Sequence, residues 1–429
     1  MRRIVNKVHV LLIGALILFN VNQIDAALNE RPNVIVILAD DLGCGDMSLY
    51  DGWIQTPRLD RMAQEGVKFT DFHSNCSVCS PTRIAFLTGR YQQRVGIVDV
   101  IVGHRDTDGL ELSELTVADV MKQGGYKTAL FGKWHCGEAI RHNPVNHGFD
   151  EYIGFLIGAG DYHNHRSWRN GTKQEDQKGY STHIITDRSV DFIERNKDNP
   201  FFLYVSHAAV HNPYQTPEDT LENRPKTKEK DRAKTRQKYQ VMLEELDKGV
   251  GQILDTLKEL DLEKKTLVFF FSDNGAVRMG TNERPYRGGK FSNYEGGHRV
   301  PAVARWPGRI KAGWVSDELI VGMDLFPTVI DIAGLKSPVD RKLDGKSFKT
   351  HLLDQADFPD RQIFFGYEPK LGTAMRDKHW KMQTKGDVVE LYDLSKDIKE
   401  TTNVADQNPE RTQTMKAAIA KWKQQVAPK

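Results

Sequence analysis

Four apolar runs, each stopping abruptly at polar residues, restrict what this chain can fold into more than any other feature. Asn33-Val34-Ile35-Val36-Ile37-Leu38-Ala39 meets Asp40-Asp41. Tyr126-Lys127-Thr128-Ala129-Leu130-Phe131 meets Gly132-Lys133-Trp134-His135, and Phe201-Phe202-Leu203-Tyr204-Val205-Ser206 leads to His207 and His211. Leu267-Val268-Phe269-Phe270-Phe271 meets Ser272-Asp273-Asn274-Gly275. Unbroken apolar runs indicate strands buried on both faces, as in a parallel sheet covered by helices. Helical patterns lie between them, at 115–123 and at 239–260, where Met242, Leu243, Leu246, Val250, Ile253, Leu254 and Leu257 recur at three- and four-residue spacing. The expectation is an α/β fold with a large mixed, mostly parallel sheet flanked by helices. Ligands of such folds sit beyond the carboxyl ends of the strands. Here those ends carry Asp40, Asp41, Lys133, His135, His211, Asp273 and Asn274.

From about residue 336 the texture changes. Short segments such as Gln362-Ile363-Phe364-Phe365 and Glu390-Leu391-Tyr392-Asp393-Leu394 alternate with turns, and a polar helix at 409–425 closes the chain. This predicts a smaller C-terminal subdomain, 336–429, with an antiparallel sheet. The stretch 222–238, dense in Lys, Arg and Glu, reads as a solvated loop or helix face.

Composition closes off other classes. With 39% hydrophobic and 28% charged residues over 429 positions, a large core is affordable and disorder is excluded. The first 26 residues hold Arg2, Arg3, Lys7 and Asp25; without them the basic and acidic residues balance. A balanced surface excludes whole-surface binding to nucleic acid. Four cysteines in this length exclude a disulfide scaffold. Arg2, Arg3 and Lys7 precede an apolar run at 8–19 that suits a secretory signal, with cleavage after Ala26. An uncleaved anchor is the alternative. Either way the folded part is expected outside the cytoplasm, secreted or periplasmic. No later run is apolar enough to span a bilayer, so no stable membrane insertion is expected once the signal is removed.

The most specific segment is Cys79-Ser80-Pro81-Thr82-Arg83-Ile84-Ala85-Phe86-Leu87-Thr88-Gly89-Arg90. Ser80 suits an N-cap, Pro81 the first helical position and Gly89 the helix end. Cys79 then lies at a helix N-terminus, where backbone N–H groups favour anions, and Arg83 lies one turn on. The bland readings are a buried cysteine or a redox pair with Cys76; a four-cysteine zinc site is excluded because only one C-x-x-C occurs. Asp40, Asp41, Asp273 and Asn274 are hard oxygen ligands, suited to Ca²⁺ or Mg²⁺ rather than zinc.

The Cys79 segment resembles the signature of type I sulfatases, Cys-x-Pro-Ser/Thr-Arg followed by Leu-Thr-Gly-Arg. Asn33 to Asp46, Gly132-Lys133-Trp134-His135, Asp273-Asn274-Gly275, Arg287-Gly288-Gly289-Lys290, Glu295-Gly296-Gly297-His298-Arg299-Val300-Pro301 and Leu391-Tyr392-Asp393-Leu394 look like further blocks of that family, in order. The branch that they resemble most is that of arylsulfatase A and N-acetylgalactosamine-6-sulfatase. The resemblance implies an alkaline phosphatase-like fold, with a catalytic domain over 27–335. It implies that a maturation enzyme oxidises Cys79 to formylglycine (3-oxoalanine). It implies one calcium ion held by Asp40, Asp41, Asp273, Asn274 and the modified residue 79. The hydrated aldehyde would attack sulfur through one hydroxyl and expel sulfate through the other. Arg83 would hold the metal-side geometry, Lys133 and Lys290 would bind sulfuryl oxygens, His135 would take the diol proton, and His211 would protonate or polarise the leaving oxygen. His211 has a rival in His207, and Ala209-Val210-His211-Asn212-Pro213 lacks a proline that the family usually carries before the histidine. Cys44 and Cys136 stand where the family commonly has other apolar residues, and both read as small buried hydrophobes. His183 stands where the family often has aspartate.

On the substrate side, residues 161–169 are rich in donors and aromatics and read equally as sugar-facing walls or as a polar surface loop. Asn170-Gly171-Thr172 matches a glycosylation sequon. The resemblance implies a sulfuric ester hydrolase acting on a sulfated oligo- or polysaccharide, with ulvan, carrageenan or glycosaminoglycan fragments as candidates. Two other readings stand beside it: a phosphodiesterase or phosphonate hydrolase of the same superfamily, and a secreted glycan-binding protein without turnover.

Overall fold

The four apolar runs become the four central strands of one ten-stranded sheet, side by side and parallel, in the computed structural model of the chain. Residues 31–103, 108–225, 231–277, 285–367 and 370–427 are described, so the expected signal segment at 1–26 lies outside the described residues. The central order is Thr266–Ser272, Asn33–Ala39, Phe201–Ser206, Lys127–Lys133. Ile37 stands opposite Val205 on one side and Phe270 on the other, which aligns the carboxyl ends of all the neighbours. Beyond Lys127–Lys133 come Glu151–Phe155, parallel, and then the short antiparallel pair Arg169–Asn170 and Lys173–Gln174. Beyond Thr266–Ser272 come Ala302–Arg305 and Val67–Phe69, antiparallel, and Trp314–Ser316, parallel to Val67–Phe69. The mixed, mostly parallel sheet is the one expected.

Both faces are covered, which is why the runs are unbroken. Val34, Val36 and Leu38 enter one core with Ile84 and Phe86 of the helix Cys79–Thr88, Val117 of Val117–Gln123 and Phe326 of Leu325–Ile332. Ile35, Ile37 and Ala39 point the other way, into a core with Leu59 of Pro57–Gln64, Phe192 of Ser181–Arg195 and Leu246 of Arg232–Glu259. The strand period of two divides one apolar run between two cores.

Helix starts follow capping chemistry. The helix expected at 239–260 begins at Arg232, because the Asp231 carboxylate accepts from the Ala233 and Lys234 N–H groups at 2.9 and 3.3 Å. The last part of the charged stretch thus forms a solvated helix face rather than a loop. The helix expected at 115–123 begins at Val117, after a reciprocal cap between Thr116 and Asp119.

The C-terminal part holds a separate four-stranded antiparallel sheet, Gln362–Gly366, Thr373–Asp377, Trp380–Lys385 and Val388–Asp393. The helix Pro409–Val426 buries Met415, Ile419, Trp422 and Val426 against it. Trp422 stacks on Phe364, with ring centroids 4.9 Å apart, and meets Tyr91 edge-on at 5.3 Å. Tyr91 follows the Cys79 helix, so this third core ties the small sheet to the element that presents Cys79. No helix among the described residues is long and apolar enough to cross a membrane.

Candidate active site

The site lies where the central strands end. Cys79 is the first residue of its helix and is buried. The cap is two residues earlier than the sequence suggests: Val78 is extended there, without a side-chain cap bond, and Ser80 Oγ instead accepts from the Ile101 N–H at 3.1 Å. The hydroxyl is drawn to a distant backbone donor, which local pattern reading cannot see. Gly89 ends the helix in the left-handed region, φ 66°, as expected.

Around Cys79 the structure brings together every residue that the sequence singled out on the metal side. The thiol lies 3.6 Å from Asp40 Oδ1, and Lys290 Nζ lies 3.2 Å from Sγ. Lys133 Nζ donates to Asp40 Oδ2 at 2.5 Å. Lys290 Nζ and Asn274 Nδ2 both donate to Asp41 Oδ1, at 2.6 and 2.7 Å. Arg83 grips Asp273 Oδ2 through Nε and Nη2, at 2.9 and 2.8 Å, and its Nη1 donates to the Lys133 carbonyl and Ser206 Oγ, at 3.1 and 2.7 Å. Asp40, Asp41, Cys79 and His211 each offer one ligand atom, all within 4.8 Å of one another. Asp273 stands at the edge of that group, its Oδ1 accepting from the Asp41 N–H at 3.3 Å.

Three carboxylates thus face three cations; all are buried except Lys290, a half-buried residue whose side chain is only 5% exposed. Burial alone would raise the Asp41 pKa, but Lys290, His211 and Lys133 outweigh it and hold this carboxyl below the usual range. Asp273 goes the other way, pushed up to about 6 by burial and by the Asp40 charge, against Arg83 and Lys133. Burial pushes the Cys79 thiol up to about 12, in spite of Lys133 and Lys290. Reactive thiols have lowered pKa values, and burial acts in the opposite direction on Cys79. The four cysteines are free and buried, and Cys44 and Cys136 sit in the cores as small apolar groups.

Within the Asp40, Asp41, Asp273 and Asn274 group, two buried oxygens have no hydrogen-bond partner among the described residues, Asp41 Oδ2 and Asn274 Oδ1. Orphaned acceptors at a carboxylate cluster match the oxygen donors that a hard divalent cation requires.

The histidines separate clearly. His211 Nε2 lies 3.7 Å from Asp41 Oδ2, and its Nδ1–H donates to its neighbour's carbonyl, Asn212 O, at 2.5 Å. The missing proline before it does no harm: Asp40 N–H donates to Ala209 O at 2.9 Å and Val210 N–H to Asp40 O at 2.8 Å, and these bonds pin the loop to the metal-side strand. His207 is buried with both ring nitrogens unpartnered among the described residues, and the ligand-competent group contains His211, not His207. His135 is buried at φ 54°; its Nε2–H donates to Ile101 O at 3.0 Å, leaving Nδ1 with a free lone pair and no partner among the described residues. Burial, then Lys133 and Arg83, holds its pKa well below the usual range, so it is neutral. His183 lies apart, paired with Glu245 at 2.7 Å on the surface.

Sequence reading missed three supports. Ser206 Oγ donates to the Lys133 carbonyl at 2.6 Å and so links two strand ends through Arg83; its position as the last residue of an apolar run was the available signal. The Ile101 carbonyl fixes the His135 ring. Tyr162 Oη reaches Ala208 O and His211 O, at 2.7 and 2.9 Å, and braces the His211 loop. Tyr162, His165 and Trp168 are therefore buried supports rather than walls, and the solvent side of residues 161–169 is left to Asp161, His163, Asn164, Arg166, Ser167 and Arg169.

Fold and site together define an enzyme of alkaline phosphatase-like architecture, with a charge-dense centre for an anionic ester. The chain belongs to the sulfatase family: the Sulfatase family model matches residues 32–335, and the model for the C-terminal part of N-sulphoglucosamine sulphohydrolase matches residues 289–426. It is 35% identical over 381 residues to human N-acetylgalactosamine-6-sulfatase, covering 82% of this chain and 71% of that one. It is 34% identical over 367 residues to an arylsulfatase of Hemicentrotus pulcherrimus, covering 78% and 64%. Among solved structures, Ps i-CgsB in complex with k-i-k-neocarrahexaose superposes with a TM-score of 0.84 at 29% identity, covering 91% of this chain and 92% of that one. The PsFucS1 sulfatase from Pseudoalteromonas sp. superposes with a TM-score of 0.79 at 26% identity, covering 95% and 93%.

Proposed function

We propose that this sulfatase releases sulfate from a sulfated carbohydrate outside the cytoplasm, after a maturation enzyme has converted Cys79 to formylglycine. The candidate substrates are carrageenan- or ulvan-type oligosaccharides and glycosaminoglycan fragments. A carbohydrate substrate is supported by the neocarrahexaose held by one structural neighbour and by the N-acetylgalactosamine-6-sulfatases among the relatives. The observation that carries conversion is the buried thiol itself. It sits at the focus of Asp40, Lys290 and a helix N-terminus, while burial disfavours its thiolate form.

Asp40, Asp41, Asp273 and Asn274 would hold a calcium ion, which would polarise the oxygen nucleophile that formylglycine at position 79 would supply. His211 Nε2 lies close enough to Asp41 to join that shell or to face the leaving oxygen. Lys133 and Lys290 bind sulfuryl oxygens, so that charge developing in the transition state meets fixed cations in a dry site. Arg83 is spent on Asp273 and on the strand ends, and so holds the metal side in place. His135 accepts a proton at Nδ1, the nitrogen left free by its bond to Ile101. With Nδ1–H committed to Asn212, His211 acts as an acid at Nε2 only when doubly protonated; burial, with Lys290 and Lys133, opposes that state and holds the pKa down at about 3 in spite of Asp41. We assign this chemistry to 27–335 and the bracing of the Lys290 segment to 336–429.

Mass spectrometry of the peptide containing residue 79 tests the reading directly; an aldehyde in place of the thiol is expected. Cys79→Ala should abolish release of sulfate from 4-nitrophenyl sulfate while leaving the circular dichroism spectrum unchanged. Substantial turnover by that variant would refute the assignment.

A further inference from the structure

One residue beyond Lys290 the chain does something costly. Phe291 is 60% exposed and sits in the left-handed region at φ 70°. A large aromatic ring in this backbone conformation, turned to solvent, serves neither local propensity nor the core. Its position is fixed from both sides. Its N–H donates to Ser77 O at 3.0 Å, two residues before Cys79. The Lys290 ammonium lies 5.5 Å from the ring centroid and 3.2 Å from Cys79 Sγ. The ring therefore stands at the rim of the catalytic centre.

Behind it opens a cavity of about 250 Å³, walled on the far side by the C-terminal sheet. Leu371 and Val388 give it apolar wall, and Val388 is itself 60% exposed. Lys385 and Glu390 supply one charge of each sign. Asn293 also lines it; that side chain is 4% exposed, its Nδ2 donates to Leu371 O at 2.8 Å, and its Oδ1 has no partner among the described residues. An aromatic face, an apolar wall and a polar rim of one donor and one acceptor charge, with no net charge, suit one kind of guest: a ring with a C–H face and a rim of hydroxyls.

We infer that this cavity, between Phe291 and the hairpin carrying Lys385, Val388 and Glu390, holds an uncharged sugar unit adjoining the sulfated one. Phe291 is the stacking platform, and Lys385 and Glu390 offer a donor and an acceptor to ring hydroxyls. The C-terminal sheet thereby takes part in choosing the substrate. The inference rests on the carbohydrate reading above and extends it to chain length: an oligosaccharide is preferred to its shortest sulfated fragment.

The test uses the full-length, matured protein with three kinds of probe: 4-nitrophenyl sulfate, sulfated disaccharides, and sulfated hexasaccharides from carrageenan and from chondroitin sulfate. The expected result is a kcat/KM several-fold higher for the hexasaccharide than for the disaccharide of the cleaved glycan. Phe291→Ala and, separately, Val388→Asp should each lower the ratio of hexasaccharide to 4-nitrophenyl sulfate kcat/KM by about tenfold, chiefly through KM. Phe291→Trp should restore the ratio. A proportional fall on all probes would assign Phe291 to Lys290 or to folding, and an unchanged ratio in both single variants would remove the cavity from recognition; either result overturns the inference alone. Turnover of 4-nitrophenyl sulfate with neither glycan cleaved would overturn the carbohydrate reading, and the cavity assignment with it.

Discussion

Cys79 shows how far a residue's surroundings override its type. The same burial that pushes its thiol up to about 12 also strengthens every charge around it, because low-dielectric surroundings leave ion pairs unscreened. Lys133 and Asp40, both fully buried and 2.5 Å apart, form the tightest ion pair beside Cys79 among the described residues. Removing Lys133 should cost more than a surface lysine could: Lys133→Ala leaves Asp40 without its closest cation and the sulfuryl group without a donor. A fall of about 10²–10³ in kcat on 4-nitrophenyl sulfate is expected, read by steady-state kinetics. A loss below tenfold would mean that Lys133 only balances charge. Its chemical type and its place at a strand end were legible in the chain. Its partner was not, because the 93 residues separating it from Asp40 are closed only by the fold.

At the scale of elements, the segment carrying Lys290 is clamped by an ionic lattice that no local motif announces. Arg376, on the C-terminal sheet, donates from Nη1 to Glu295 Oε2 at 2.7 Å and from Nη2 to Asp71 Oδ2 at 2.9 Å. Lys381 lies 3.0 Å from Glu295 Oε1 and 2.9 Å from Glu400 Oε1. His73, Glu295 and His298 could by geometry hold a metal, but Lys381 Nζ already lies 3.2 Å from His298 Nε2, so the cation of this cluster is an ammonium. Buried pairs of this kind add little beyond an apolar replacement, yet breaking one strands a charge. Arg376→Met should therefore destabilise the protein by about 3–5 kcal/mol, measured by urea unfolding; a loss under 1 kcal/mol would show that water or Arg299 replaces it. Element types were readable from period and cap residues alone, as with Thr116 and Asp119. Where a side chain had a better partner far away, as Ser80 does in the Ile101 N–H, the local rule placed the cap wrongly.

For the whole molecule, the consequence of two closed cores is sensitivity to acid. His207 and His147 are buried with no hydrogen-bond partner for either ring nitrogen among the described residues, and burial lowers their pKa values to about 3 and about 4. Unfolded, each titrates near 6.5. Their depressed folded values mean that stability is fully present above pH 6.5 and is lost as pH falls toward 4 and 3. Fully protonating the unfolded His207 while the folded ring stays neutral shifts the balance by about 5 kcal/mol. His207→Leu should move the acid midpoint of unfolding, followed by tryptophan fluorescence, down by roughly half a pH unit or more; an unmoved midpoint would show that other groups control it. The sheet, its two covering layers, the separate small sheet and the chemical types at the strand ends were all determined by the chain itself. Apolar period and breaker residues act over a few positions, and neighbouring residues are enough to express them. Only the tertiary structure decided that Lys290 faces Cys79 across 211 positions, that His211 rather than His207 joins Asp40 and Asp41, and that a cavity opens behind Phe291. Those relations depend on distances between elements, and such distances exist only once the cores have closed.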